Sequence, residues 1–375
     1  MLQGQRCEID RIESREYRGV SRVSAEVDGE TVWFESADAQ LQPSAEALAS
    51  AFLVPSLHHG VPLRVHAPLS PRWRQNVGHL FGIFHRWWSY PTSLEITSDG
   101  DVEMPPPKPE SGQCFSGGAD SFYSLLRGGY RTNCLIYVHG YDISFRDRLR
   151  MRNFLESLDA VAREVGRRAI VLRTNLRKHH LFASVPWEQS HGGALAAIGH
   201  LLSHDIGSLV IPSSRTYDDP LPCGSHWNTD SWWSSENMQV IHDDATLYRL
   251  NKLKLIDREP LVQQHLRVCW ENLAAWGNCS RCDKCVRTMI VLAVRGQLQD
   301  YPVFDRWTPL PNILDGMEPV HSNMRCRYQE LLDEGMPPEI EAAMRRLLTR
   351  DRPVMFSKVR RTVRKFQRAF ARLCG

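Results

Sequence analysis

Two adjacent glycines between a short strand and a helix constrain this chain more than any other feature. Gly117 and Gly118 allow the backbone to turn sharply and to approach a ligand closely. Apolar side chains with helical spacing follow the turn, at Phe122, Leu125 and Leu126. The glycine turn, Gly117–Asp120, should therefore open a helix whose free N–H groups and positive dipole end suit a phosphate or pyrophosphate.

Asp120 is the residue of this turn that phosphate binding alone does not explain. A carboxylate repels phosphate unless Mg²⁺ lies between them, or unless the side chain turns back to cap the helix. An ordinary Gly-Gly loop with Asp120 as its N-cap is therefore the alternative to a phosphate site. The turn is not a Walker A loop, because the Gly-Lys-Ser/Thr ending is missing.

Length and composition are those of a globular protein of about two domains. The chain has 375 residues, of which 42% are hydrophobic and 24% charged, and this suffices for a large core. No apolar run reaches the roughly 18 residues that span a bilayer. The N-terminus is charged from Arg6 onward and has no signal-peptide core. We therefore expect a cytoplasmic protein without a transmembrane segment.

Three regions are predicted along the chain. Residues 1–108 read as a small, β-rich α+β domain with a hairpin turn at Asp28-Gly29, and the proline-rich run 104–109 marks its end. Between 109 and 300, apolar runs alternate with amphipathic helices, which predicts an α/β domain, doubly wound around a mainly parallel sheet. Residues 301–375 are predicted to form a helical extension that ends in a basic amphipathic tail.

Ligands of a parallel sheet bind beyond the carboxyl ends of its strands. The turn at Ser116, the run His139–Asp142 and the loop after Ile211 should therefore meet at one edge of the sheet.

Four of the ten cysteines form a second motif, Cys-x9-Cys-x2-Cys-x2-Cys, at Cys269, Cys279, Cys282 and Cys285. Such a knuckle, residues 269–285, can surround one tetrahedral Zn²⁺ with no position left for water, so the metal would be structural. Basic side chains at Arg281, Lys284 and Arg287 would offset the charge of four thiolates. The alternatives are an iron–sulfur cluster and four unrelated reduced cysteines.

The string Ser-Gly-Gly-x-Asp-Ser resembles the signature of the PP-loop ATP pyrophosphatases. In that group the loop holds the β,γ-pyrophosphate of ATP while the α-phosphate is attacked to give an adenylate. The resemblance implies a PP-loop, HUP-like fold with ATP and Mg²⁺ as cofactors. It also implies phosphate contacts at Ser116, Gly117, Gly118, Ala119, Asp120 and Ser121.

Together with the knuckle, this string resembles the 7-cyano-7-deazaguanine synthase family of queuosine biosynthesis. Further matching segments are Leu266–Glu271, Val185-Pro186 and Asn251–Ile256, and the match covers about residues 112–295. The resemblance implies a carbon–nitrogen ligase that adenylates 7-carboxy-7-deazaguanine or a related purine-like acid and releases AMP and pyrophosphate. Ammonia or an amine would then attack, giving an amide or a nitrile.

The family chemistry assigns roles to particular residues. Asp120, Ser121 and Lys252 would be catalytic, since Lys252 matches the family lysine that faces the phosphates; its alternative is a solvated helix lysine. For the purine-like substrate we expect contacts from three polar side chains that could instead cap loops, Asp142, His226 and Asp230.

The chain departs from the family at the substrate loop. Trp187-Glu188-Gln189 stands where the family has Ala-Arg-Asn, and residues 223–233 replace the family's loop. Cys223 in that loop could be a nucleophile for thiolation or thioester transfer, or an inert cysteine. The acceptor is therefore open, and an amine of a macromolecule is one candidate.

Most of the positive charge lies in the tail. Residues 355–375 carry seven basic side chains and no acid, and removing these seven charges from the net +3 leaves −4 for the remainder. An apolar stripe makes the tail a basic amphipathic helix that could bind RNA, an acidic protein partner or a membrane surface, or could dock on the body. The oligomeric state stays open, with a homodimer among the alternatives.

Two other functions compete with the ligase. A PP-loop enzyme that thiolates tRNA or protein would need a sulfur donor, and a nucleotide-sensing module would bind ATP without turnover.

Overall fold

The computed structural model describes residues 6–219, 221–272 and 277–350. Two compact units are present. The sheet unit comprises the described residues up to Ser116, Ser124–Ser144 and Ala162–Tyr248, and the helical unit comprises Gly117–Tyr123, Phe145–Val161 and the described residues from Arg249 onward. In the part of the chain that is described, no helix is long and apolar enough to cross a bilayer.

Ten strands form one sheet in the sheet unit. They are β1 (Cys7–Tyr17), β2 (Val20–Val27), β3 (Glu30–Ser36), β4 (Leu63–Val65), β5 (Ile96–Ser98), β6 (Ser111–Cys114), β7 (Cys134–His139), β8 (Arg168–Thr174), β9 (Ser208–Pro212) and β10 (Gln239–Asp243). Their order is β10-β9-β6-β7-β8-β3-β2-β1-β4-β5. Neighbours are parallel except in the pairs β1–β2, β2–β3 and β3–β8. The predicted α/β class with a mainly parallel sheet is confirmed, whereas the PP-loop fold stays a prediction.

The N-terminal strands continue the sheet of the central region. β2 and β3 form the predicted hairpin, in which Asp28 and Gly29 both have positive φ, 48° and 77°, as a type I′ turn requires. β3 then pairs antiparallel with β8 through Phe34 opposite Thr174. The described residues before 109 thus share a sheet with residues after 109. The division of the chain into three regions stays a prediction.

Twelve helices accompany the strands within the described residues. They are α1 (Ala45–His59), α2 (Pro71–Trp88), α3 (Ala119–Arg127), α4 (Arg148–Glu164), α5 (His180–Ser184), α6 (Trp187–Leu201), α7 (Arg249–Ile256), α8 (Pro260–His265), α9 (Asp283–Val294), α10 (Leu310–Asp315), α11 (Ser322–Asp333) and α12 (Pro338–Thr349). In the sheet unit, α1 packs directly on α6. A Cβ added to Gly193 would lie 2.2 Å from the Ser50 carbonyl oxygen, so this close approach requires glycine.

Two features position the candidate sites. In the sheet unit, β9, β6 and β7 are parallel neighbours, so the loops that follow them leave the same edge of the sheet, as predicted.

In the helical unit, α9 packs against α7, α10 and α11, and the buried side chains include Leu253, Met289 and Tyr328. The basic tail, 355–375, lies outside the described residues.

Candidate functional site

The glycine turn has the backbone geometry that its sequence predicts. Gly117 has φ +72°, a left-handed conformation that favours glycine. The N–H of Arg267 donates to the Gly117 carbonyl over 2.7 Å. A Cβ on Gly117 would meet Arg267 Cβ at 3.5 Å and Phe154 Cε2 at 3.6 Å. The turn is therefore held against its surroundings within the helical unit.

Helix α3 starts at the end of this turn. The N–H of Phe122 donates to the Gly118 carbonyl over 3.0 Å, and the Ser121 hydroxyl donates to the same oxygen over 2.9 Å. The N–H groups of the first helical turn have no intrahelical acceptor, as at the start of any α-helix. The N–H groups that are predicted to bind phosphate thus lie at the start of α3, where the Ser121 hydroxyl also donates, and their contact with phosphate stays a prediction. Ser116 follows β6 and is exposed, in the sheet unit.

Asp120 is fixed by a cation that the sequence analysis did not assign to the site. Arg249, the first residue of α7, donates from Nε over 2.7 Å and from Nη2 over 2.6 Å, both to Asp120 Oδ2. Oδ1 is buried and accepts no hydrogen bond from any residue that the structure describes. Asp120 lies inside α3, so the alternative in which it caps the helix is wrong. A buried carboxylate oxygen without a donor suits a divalent cation.

Lys284 adds a second cation to this neighbourhood. The positive charge of Arg249 and burial lower the pKa of Lys284 to about 8, while Asp120 opposes the shift. The Lys284 ammonium is therefore electrostatically coupled to both partners of the ion pair. A bound anion would relieve the repulsion between the two cations. From the sequence, Lys284 was expected only to offset the charge of the knuckle thiolates.

Lys252 is buried and not solvated. Its side chain is fully excluded from solvent, and Nζ lies 5.3 Å from the centroid of the Tyr123 ring in α3. The alternative of a solvated helix lysine is therefore wrong. The predicted contact of Lys252 with ATP phosphates stays a prediction.

All four knuckle cysteines are buried and converge. Their sulfurs lie within 4.8 Å of one another, and those of Cys279 and Cys285 are 3.9 Å apart. Zn–S bonds of about 2.3 Å set sulfur–sulfur edges of about 3.8 Å in a tetrahedron. The donor set therefore fits a structural metal such as zinc.

Backbone contacts hold the knuckle in shape. Asn278 Oδ1 accepts from the N–H of Val268 over 2.8 Å and from that of Cys269 over 3.0 Å. The N–H of Cys282 donates to Cys279 Sγ over 3.2 Å, and α9 begins one residue later. These bonds fix both ends of the ligand set.

The four crowded thiols shift one another's pKa in opposite directions, lowering it for two of them and raising it for the other two. Hydrogen bonds from the other three cysteines hold the pKa of the Cys269 thiol far below its ordinary value. The same contacts raise the pKa of the Cys285 thiol. A metal ion would draw all four into the thiolate form, which couples binding to proton release.

The predicted substrate residues lie in the sheet unit, and two of them hold a loop together. Asp230 is fully buried and accepts from Ser225 Oγ and His242 Nδ1, each over 2.7 Å, and from the His226 N–H over 3.1 Å. Burial and the charge of His242 lower the pKa of His226 to about 4. Asp142, after β7, accepts from the Tyr137 hydroxyl over 2.5 Å. Their roles in substrate binding stay predictions.

Arg249 and His191 were missed because each becomes the neighbour of its partner only in the folded chain. Arg249 lies 129 positions from Asp120, and His191 lies 32 positions from Cys223. Lys284, by contrast, had a local signal, its place inside the cysteine motif.

No family model, curated protein or solved structure matches the chain.

Proposed function

We propose that this protein is an ATP-dependent ligase that adenylates a carboxylate on 7-carboxy-7-deazaguanine or a related purine-like acid. Oxygen of the acid attacks the α-phosphorus of ATP, pyrophosphate leaves, and nitrogen then displaces AMP to give an amide; a second activation gives the nitrile. The observation that carries the proposal is the Asp120 carboxylate, which Arg249 fixes at the start of α3 with one buried oxygen unpaired.

The helical unit offers several groups to a pyrophosphate. N–H groups of the first turn of α3 supply donors, and the helix dipole favours negative charge there. Arg249 binds Asp120, and the charges of both residues act on Lys284, so two cationic side chains lie near the start of α3. Their positive charge would stabilise the leaving pyrophosphate as its negative charge develops.

The residues present fit a magnesium ion. Asp120 Oδ1 would hold it, because that oxygen is buried and has no donor among the described residues. Mg²⁺ would supply charge neutralisation between the carboxylate and the phosphates. Arg249 orients the carboxylate through its two bonds to Oδ2, whatever ion is bound.

The metal knuckle has a supporting role in this proposal. Its last ligand, Cys285, lies beside Lys284 in the first turn of α9, so a bound metal would fix the position of that lysine. Because four thiolates complete the tetrahedron, this metal would take no part in the chemistry.

The proposal is tested by ATP–pyrophosphate exchange. With metal-loaded protein, ATP, Mg²⁺ and 7-carboxy-7-deazaguanine, we expect exchange that depends on the acid, and mass spectrometry should detect amide or nitrile once ammonia is added. Asp120→Asn should lower the exchange rate by about 100-fold, since the cation loses a charged ligand. The matched control is Asp300→Asn, at an exposed position of the same unit, which should leave exchange unchanged.

Other results would favour the competing functions. A requirement for a sulfur donor and RNA would indicate a thiolase. Binding of ATP without turnover, unchanged in Asp120→Asn, would indicate a sensing module.

A further inference from the structure

A loop of the sheet unit is pressed against helix α6 at two glycines. A Cβ on Gly192 would lie 1.8 Å from the Gly224 carbonyl oxygen, and a Cβ on Gly224 would lie 2.7 Å from the Gln189 carbonyl oxygen. The Gly224 N–H donates to the Glu188 carbonyl over 2.6 Å. Only glycine permits this backbone contact, so the position of the neighbouring Cys223 is fixed relative to α6.

This contact places Cys223 beside a histidine. Cys223 Sγ lies 3.8 Å from His191 Nε2. His191 Nδ1 lies 2.9 Å from the Trp187 carbonyl oxygen, which can only accept, so Nδ1 carries the proton. Nε2 is then the basic nitrogen: it accepts a hydrogen bond from the Ser225 N–H over 3.2 Å and has the sulfur as its other neighbour. The Cys223 sulfur, the His191 ring and the Trp187 carbonyl thus lie side by side as a nucleophile, a base and a group that orients the base.

The surroundings favour a reactive thiol at this position. Burial raises the pKa of Cys223, but hydrogen bonding and charge from His191, together with the charge of Arg215, lower it by more. By contrast, burial raises the pKa of Cys7 and of Cys114 to about 12. Cys223 is also only partly buried, and exposed residues precede it in the loop. Cys223 is therefore a partly exposed residue whose thiol is activated by its neighbours.

We propose that Cys223 and His191 are the nucleophile and the general base of an acyl-transfer site. His191 Nε2 takes the thiol proton while sulfur attacks an activated carbonyl carbon. The C–S bond forms, the bond from carbon to the leaving oxygen breaks, and the electron pair departs with that oxygen. Because the leaving group departs as an anion, the imidazolium releases its proton to solvent. A primary amine then attacks the thioester carbon and gives a proton to the neutral Nε2, which passes it to the sulfur as the C–S bond breaks and the thiol is restored.

The inference rests on the proposed function for its natural acyl donor, an acyl adenylate whose leaving group is AMP. Its chemistry can be tested without ATP, because a thiolate–imidazole pair also attacks an activated ester. p-Nitrophenyl acetate is the probe: acylation of the sulfur releases nitrophenolate and leaves an acetyl thioester.

The experiment uses full-length, metal-loaded protein. We expect a burst of about one nitrophenolate per chain and an acetyl group on Cys223 in peptide mass spectra, with the rate at least about 100-fold lower in His191→Gln. Cys326→Ser, which removes an exposed cysteine, is the matched control and should keep the full burst. Acetylation at other cysteines only, or an equal rate in His191→Gln, would overturn the proposal.

A second measurement needs no variant. In the wild-type protein at pH 7, iodoacetamide should alkylate Cys223 at least about tenfold faster than Cys326, because the histidine holds more of the sulfur as thiolate. Equal alkylation rates at Cys223 and Cys326 would contradict the activation of Cys223 by His191.

A third measurement tests whether the acyl adenylate of the proposed ligase acylates Cys223. It also distinguishes failure of the acyl-transfer proposal from failure of the ligase proposal. After incubation with ATP and the acid, a hydroxylamine-sensitive adduct on Cys223 would support acyl transfer. AMP release without any adduct on Cys223 would overturn the transfer role while leaving the ligase intact. A full burst with the ester but no AMP from ATP would support the pair and refute the proposed function.

Discussion

Arg249 donates two hydrogen bonds to one oxygen of Asp120: Nε and Nη2 lie 2.7 and 2.6 Å from Oδ2. Because both bonds go to the same oxygen, the carboxylate is fixed in orientation while Oδ1 stays available. Both side chains are partly buried, so solvent screens the pair less than it would an exposed one. This asymmetric pairing is the basis of the proposed cation and phosphate site.

Removing the guanidinium should release Asp120 from its orientation. For Arg249→Gln, we expect acid-dependent AMP formation to fall by about 10- to 100-fold, the usual effect of losing a partner that orients a metal ligand. Initial rates measured over a range of Mg²⁺ concentrations should show weaker activation by Mg²⁺. Arg249→Lys keeps the charge without the two-bond geometry and should lie between. Rates equal to wild type at every Mg²⁺ concentration would show that the pair has no role in the reaction.

The left-handed backbone at Gly117 should make any residue with a side chain less stable than glycine at this position. Because φ is +72° there, Gly117→Ala should lower the free energy of unfolding by about 1–2 kcal/mol. Gly129→Ala is the matched control, since a Cβ at that position meets nothing within 4 Å and its φ is not positive. Urea unfolding of both variants checks this, and equal midpoints for the two would argue against the turn geometry.

A metal site at the knuckle predicts how many zinc ions each chain binds and how strongly two variants lose zinc. Elemental analysis should find one zinc per chain, and Cys282→Ser should lose it with a large loss of stability. Asn278→Ala removes the acceptor for two backbone N–H groups and should weaken zinc binding by about 10- to 100-fold in competition with a chelator. Iron with absorption in the visible range would instead identify a cluster. Zinc retained at full affinity in Cys282→Ser would contradict the four-thiolate site.

Acid should destabilise the sheet unit through His200. This side chain is buried, its Nε2 donates to the Trp233 carbonyl over 2.9 Å, and burial lowers its pKa to about 4. Above the unfolded value of about 6.5 both states are neutral. As the pH falls from there to about 4, only the unfolded chain gains the proton, so this histidine lowers stability by up to about 3 kcal/mol.

The measurement is the pH profile of the urea midpoint for wild type and His200→Gln. The variant should lose less stability than wild type between pH 6.5 and 4. Parallel profiles would show that His200 is not held neutral.

Local sequence patterns predicted the elements with continuous apolar runs, with helical spacing of apolar residues or with special turn residues. The strands β7, β8 and β9 followed from apolar runs, the helix after the glycine turn followed from its apolar spacing, and the β2–β3 hairpin followed from Asp28-Gly29. Helix α1 was missed because nearly all of its residues are buried and Pro55 lies within it, so it has no polar face and no helical signature. A helix surrounded by protein on all sides has no amphipathic period.

Long-range pairing is the other part that the sequence could not supply. The two antiparallel register pairs between β3 and β8, Phe34 with Thr174 and Glu35 with Arg173, join the N-terminal strands to the central sheet across about 140 positions. The contacts of Arg249 with Asp120 and of His191 with Cys223 are also long-range, and no local motif predicts them. The cysteine motif was predictable because its ligands are close in sequence as well as in space.

The most direct test of the account is the identity of the phosphorus-containing products. Metal-loaded protein, incubated with ATP, Mg²⁺ and 7-carboxy-7-deazaguanine, should yield AMP and pyrophosphate in equal amounts by ³¹P NMR, because the outer two phosphates leave together. Formation of ADP and inorganic phosphate, or no acid-dependent loss of ATP, would contradict it.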